Sequence, residues 1–417
     1  LTTTSQAKPQ PAPLFPRVSL EQMRLAVVWL MFASAFIARI EPAPTEILFL
    51  CVVACFLTSG LNIAVGVAPL VLALLLYNLG GFISFLEVSN ETKAVMFVIT
   101  SAYMAVTGIF FAYYIAYDPV HRMAIIRSGL TFSAVLASIF GVMTYFDIAG
   151  FGALAKLGRA VGLFKDPNVF STFLVFPTVM LLQGFLLGTH KRPFWSALWL
   201  LIILPGLFLA FSRGAWINVV LSSFLLVFFT FLLTPSAAMR SRIIFITLIG
   251  LGVAAVLLII LLSIPEIRDL ALDRFTLIKY YDAGEKGRFG NQINSIPILL
   301  ERPFGFGPTY FRIIFGEDPH NVYINAFSSY GWLGGVTYFT LIISTIFIGF
   351  RTILTRTPWQ NEAIAVFCPL IAVIFQGMQI DTEHWRHFYW MLGLMWGLFA
   401  VTIQPASVNR HAYRNTE

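Results

Sequence analysis

The chain has 417 residues, 58% of them hydrophobic and 11% charged, with a mean hydropathy of +0.81. A soluble domain has about a quarter of its residues charged, so this composition excludes an ordinary soluble globule and demands lipid around most of the surface. The formal charge of +7 comes from basic residues placed between apolar runs. Such placement is an orientation signal, and it speaks against a nucleic-acid partner.

Residues 1–20 are polar, carry Pro9, Pro11, Pro13 and Pro16, and read as a disordered cytoplasmic tail without a cleavable signal peptide. A membrane-crossing helix needs about 20 apolar residues. Twelve runs answer to this, near 22–39, 44–60, 64–84, 93–117, 123–146, 168–188, 195–212, 214–233, 242–263, 323–350, 361–379 and 387–404. The expected fold is an all-α integral membrane protein of about twelve transmembrane helices with short periplasmic surface helices. Residues 21–145 form a first set of helices and 146–404 a second region that contains an outer loop, 264–322, while 405–417 form a second cytoplasmic tail. Within the loop, Asn291–Leu300 predicts a surface helix stopped at Arg302-Pro303, because proline disfavours helix in the residue before it. Cys51, Cys55 and Cys368 lie inside apolar runs and read as packing residues.

With both termini inside, the inner connections carry Arg122, Lys191, Arg240, Arg351 and Arg410, and the outer ones carry most of the acids, from Glu41 to Glu383. The positive-inside rule predicts this asymmetry. It places four polar clusters on one face, taken as the periplasmic face of a bacterial inner membrane: 147–167, the Ser212-Arg213-Gly214 corner, 284–325 and 380–386. No ATP is available there, so a transfer reaction on that face needs a substrate that is already activated.

Arg213 joins two runs with almost no loop. It reads either as an arginine snorkelling to the interface or as an anion clamp at headgroup level. Arg288 stands just before the predicted surface helix, where free N–H groups and a guanidinium both suit phosphate; otherwise it is a solvated loop residue. His320, in Asp-Pro-His-Asn-Val-Tyr, has an imidazole that can take a proton near neutral pH, or it is an interfacial histidine satisfied by water. Arg159, Lys165, Asp166 and Asn168 precede the sixth run. Asp-Pro-Asn caps a helix there, and the basic residues suit an anionic partner. Asp381, Glu383 and His384 either hold a divalent metal or tie two helices together.

The order of Gly-Leu-Phe-Lys-Asp-Pro-Asn168, Phe-Ser-Arg213-Gly-Ala-Trp, Gly-Arg288, Pro-Phe-Gly-Phe-Gly-Pro308, His320-Asn-Val-Tyr-Ile and Tyr330-Gly-Trp-Leu-Gly-Gly335 resembles the O-antigen ligase and polysaccharide polymerase family over roughly 150–400. The resemblance implies a GT-C-like membrane glycosyltransferase. Such an enzyme moves a glycan from undecaprenyl diphosphate to a sugar hydroxyl of a lipid-anchored acceptor, inverting and without a metal or other cofactor. It implies Arg213, Arg288 and His320 as the catalytic residues. Lys165, Asp166, Asn168, Arg159, Asn321 and Tyr323 are weaker donor or glycan contacts. The wording of the motifs favours a ligase acting on the lipid A core over a polymerase of the same chemistry. A transporter or flippase is disfavoured, because such proteins gather charge and broken helices at the bilayer midplane.

Overall fold

A computed structural model describes residues 19–57, 61, 64–275, 284 and 287–404. Apart from Ser19 and Leu20, the two expected tails lie outside the described residues, as do 276–283 and 285–286 of the outer loop. Among the described residues the regular structure is helical. The helices are α1 (Leu20–Ala33), α2 (Pro44–Leu57), α3 (Ala68–Phe85), α4 (Thr92–Tyr117), α5 (Pro119–Tyr145), α6 (Pro167–Leu187), α7 (Pro193–Leu209) and α8 (Arg213–Leu233). They continue as α9 (Ala237–Leu262), α10 (Pro265–Phe275), α11 (Arg288–Leu300), α12 (Phe311–Phe315), α13 (Val322–Leu354), α14 (Gln360–Gln376) and α15 (Arg386–Thr402).

Each predicted apolar run carries one helix. Among the described residues seven are long and apolar enough to cross a membrane: α3 with its flanking 3-10 turns, α4, α5, α6, α8, α9 and α13. The helices α2, α7 and α14 are apolar but shorter. The first run was expected to continue to about residue 39, but α1 stops at Ala33. Ser34 ends it by donating its hydroxyl back to Met31 O at 2.9 Å, and the chain then turns so that Ala38 N donates to Leu163 O at 2.9 Å.

Close helix crossings rest on glycine, as expected where apolar helices associate in lipid. A Cβ on Gly80 of α3 would lie 2.6 Å from Tyr330 O of α13. Gly393 of α15 is pressed in the same way against the Gly108 carbonyl of α4. The helix α6 is central, with 83% of its apolar window buried, whereas only 6% of the α9 window is covered.

Contacts between connections sort them into two ends of the bundle. At one end Arg122 pairs with Glu21, Gln183 Nε2 donates to Asn361 O, and Trp359 Nε1 donates to Thr402 Oγ1. At the other, Lys165 pairs with Glu41, Arg386 with Glu46, and Ala160 N donates to Leu209 O. The four polar clusters singled out in the sequence belong to this second end.

One helix is broken there. Gly331 interrupts α13 with φ 65° and ψ −170°, a conformation that only glycine adopts at low cost. The loop 303–307 fills the gap. Trp332 N donates to Pro303 O at 2.9 Å and Phe306 N to Ser328 O at 2.8 Å, so the backbone groups freed by the break find partners. A small apolar core of Leu299, Phe306 and Phe311, with Ile324 and Phe327 of α13 against it, fastens α11 and α12 to this first segment of α13.

Candidate active site

Arg213 is the first residue of α8, with only three residues between it and the end of α7. The corner is tight. Phe211 takes a left-handed backbone, φ +46°, which a bulky residue holds only where its surroundings impose it. Ser212 caps α8 by accepting Ala215 N at 3.3 Å. Gly214 leaves room for Gln376, whose Nε2 would be 2.9 Å from a Cβ at that position. Gln376 is buried. It accepts Asn218 Nδ2 at 2.7 Å and donates to Thr172 Oγ1 at 3.0 Å, so α6, α8 and α14 meet in one polar knot beneath the half-buried Arg213.

The basic loop before α6 lies against the same corner. Arg159 Nε donates to Ala210 O at 2.7 Å, and its NH2 donates to Asn168 Oδ1 at 2.9 Å. Asp166 caps α6 through Asn168 N at 2.8 Å and pairs with Lys156 at 3.1 Å. The charges of this loop are thus engaged within the chain, and Arg159 joins the end of α7, beside the Arg213 corner, to the start of α6.

Arg288 begins α11 after Gly287. That helix rests on the loop leading to His320. Gln292 Nε2 donates to Pro319 O at 2.8 Å, and Asn291 Nδ2 to Glu317 Oε1 at 3.2 Å. Burial lowers the pKa of His320 below the ordinary imidazole value; Asp318 opposes the shift and Arg288 adds to it. The ring is therefore neutral at pH 7 and able to accept a proton, with Arg288 near enough to act on it.

The backbone around His320 is fixed from below. His320 has φ +46°, an uncommon conformation for a residue with a Cβ. Asp381 holds it there: its Oδ2 accepts His320 N at 3.0 Å and its Oδ1 accepts Asn321 N at 3.1 Å. The same Oδ2 lies 3.7 Å from His320 Nδ1, which leaves Nε2 as the other ring nitrogen for a reacting group. Asn321 caps α13 by accepting Tyr323 N and Ile324 N, and Tyr323 Oη donates to Ile374 O at 2.9 Å. Val322 N donates to Gly377 O at 2.8 Å, directly after Gln376. One short stretch of α14 and its following loop therefore touches the Arg213 corner through Gln376 and the His320 turn through Gly377 and Asp381.

The acidic cluster 381–383 thus serves as a tie between helices. Burial pushes the Asp381 and Glu383 carboxyls upward and pulls the His384 imidazole down to about 4. Glu383 Oε1 accepts Asn325 Nδ2 at 2.8 Å, one turn beyond Asn321. Among the described residues no group of three or more potential metal ligands stands together.

Residues 196–339 match the O-antigen ligase family model. The matched stretch runs from α7 into α13 and contains Arg213, Arg288 and His320. It supports assignment to the O-antigen ligase and polymerase family, whose members transfer lipid-linked glycans in general. No curated protein matches the chain.

Sequence reasoning did not single out Gln376, Asn218 or Asn325. Each is a carboxamide inside an otherwise apolar helix, and that is the signal that could have found them, since buried polar groups in a membrane helix need partners.

Proposed function

We propose that this protein is an O-antigen ligase-type glycosyltransferase with twelve membrane-crossing helices of GT-C-like arrangement, both termini in the cytoplasm and its site on the periplasmic face of a bacterial inner membrane. The donor is a glycan on undecaprenyl diphosphate, and the acceptor is a sugar hydroxyl of the lipid A core. The observation that carries the reading is the Asp381 bridge. It fixes the His320 turn while α11, led by Arg288, rests on the residues just before that turn.

In this mechanism His320 Nε2 takes the proton of the acceptor hydroxyl as its oxygen attacks the anomeric carbon. The bond from that carbon to the diphosphate oxygen breaks on the opposite side, which inverts the centre. Negative charge builds on the departing diphosphate, and the guanidiniums of Arg213 and Arg288 stabilise it where it forms. Arg159 and Lys165 extend the positive wall for the donor, while Asp166 and Asn168 shape that wall and Asn321 and Tyr323 shape the acceptor side. All of these groups belong to connections or first helical turns at one end of the bundle, the end this reading takes as periplasmic.

The test is transfer by the purified protein from a lipid-diphosphate glycan, run in parallel with a lipid A core acceptor and with a second lipid-linked repeat unit. Product on the core supports a ligase. Product only on the repeat unit replaces the ligase reading with a polymerase. Absence of both, with the protein folded and the donor intact, removes the glycosyltransferase reading.

A further inference from the structure

The helix α11 is amphipathic in the inverse sense. Its inward face is polar: Asn291, Gln292 and Ser295 are buried against the loop 315–319, and Gln292 and Asn291 are hydrogen-bonded there. Its outward face is apolar and uncovered, with Ile293 66%, Ile296 47% and Leu300 65% exposed, and Phe304 continues it at 54%. A surface helix facing water has the opposite distribution, because the apolar stripe is the one that gains by leaving water. At 13 residues it is too short to cross a bilayer, which needs about 20.

The surroundings say what covers that face. Trp332 Nε1 donates to Leu299 O at 2.9 Å, which joins the end of α11 to the second segment of α13. From Trp332 onward that segment exposes Leu333, Val336, Phe339, Ile343 and Phe347 along a membrane-crossing helix. Trp332 thus joins the apolar strip of α13 to the end of α11, and the exposed Glu301 and Arg302 stand beside that join between Leu300 and Phe304. Tryptophan concentrates at the boundary between hydrocarbon and headgroups.

We propose that α11 is seated in the bilayer leaflet on the site's side, with Ile293, Ile296 and Leu300 in the acyl region and Gln292 turned inward onto the His320 loop. The occupant of the apolar face is membrane lipid. An interfacial helix of this kind buries its apolar side about 5–10 Å below the headgroups. Its first residue, Arg288, then stands at the level of the leaflet's headgroups, and a change in the depth of α11 moves Arg288 and the Pro319 carbonyl together. The proposal concerns lipid contact alone and holds whichever glycan reaction the site performs.

The full-length chain in lipid nanodiscs tests it. The photoreactive residue p-benzoylphenylalanine is placed at Ile293, at Ile296, at Leu248 on the exposed face of α9, and at buried Ser295, and adducts are identified by mass spectrometry after irradiation. Phospholipid adducts at Ile293 and Ile296 are expected within about twofold of the Leu248 yield and about tenfold above Ser295, as a lipid-seated face requires. Crosslinks from Ile293 or Ile296 to a second copy of the chain, or lipid yields no higher than at Ser295, overturn the proposal. The unmodified protein gives an independent reading by hydroxyl-radical footprinting in the same nanodiscs. Protection of Ile293 and Leu300 comparable to that of Leu248 is expected, and oxidation at the level of a water-exposed residue overturns the proposal.

Discussion

Two of the polar loops at the site end, one mainly basic and one acidic, use their charges differently. In residues 155–168 the charges tie the loop to itself and to the ends of neighbouring helices: Lys156 on Asp166, Lys165 on Glu41, Arg159 on Ala210 O. In residues 377–385 the acids hold the start of α13, and Asp381 takes hold of the backbone that presents His320. The first loop builds a wall and the second positions a reactive group. They differ both in the sign of their charge and in the partner each charge finds.

The sharpest way to break this contrast is to remove the groups proposed to meet substrate. His320→Ala is expected to lower transfer about 10²–10⁴-fold, the range of a general base, while thermal stability in detergent stays near that of the parent. Arg288→Ala and Arg213→Ala are each expected to cost about 10²–10³-fold in kcat, as loss of one charge-stabilising donor does. The corresponding lysine variants should recover part of that. Parental rates in the double alanine variant would remove the diphosphate clamp.

Next in size comes the support. Asp381→Asn keeps one acceptor oxygen but turns an amide N–H toward one of the two backbone amides it holds, and about a tenfold fall in transfer with the fold retained is expected from losing that hydrogen bond. Acidification should act on the same place. His320 has a lowered pKa, so the neutral ring predominates at pH 7, and kcat/KM should fall as pH drops through a value below the usual imidazole range. A fall beginning above pH 7 would show that a different group is the base.

The smallest effect belongs to the wall. Asp166→Ala removes the cap of α6 and should cost about 0.5–2 kcal/mol of stability, measured by thermal unfolding, with transfer within about threefold of the parent because the cap lies away from the reacting atoms. If Asp166→Ala abolished transfer at full stability, the distinction between the two loops would collapse.

Much of this arrangement is legible in the sequence. Apolar runs locate the helices because in lipid every backbone group must be satisfied within its own segment. Charge placement sorts the connections into two ends, and the short motifs mark Arg213, Arg288 and His320. The surface helix predicted at Asn291–Leu300 begins three residues earlier, at Arg288, because Gly287 rather than a polar cap starts it. The ties between distant segments are not legible. Gln376 and Thr172 meet across 204 positions, and Asp381 and His320 across 61. No periodicity within a segment reports which carboxamide or carboxylate will face which backbone amide. The same holds for α11: its composition reveals an amphipathic helix but not that the polar side faces inward.

The interruption at Gly331 has a mechanical outcome. The long part of α13, from Trp332 to Leu354, must change its tilt when it meets a thicker or thinner bilayer. The nine residues from Val322 to Tyr330 are anchored separately, by Asp381 and Gly377 at one end and by the Phe306 amide on the Ser328 carbonyl at the other. With the helix broken at residue 331, the two parts of α13 take their tilt from different partners: the lower rod from the bilayer and the α11 contact of Trp332, the upper segment from the loops that hold the His320 turn.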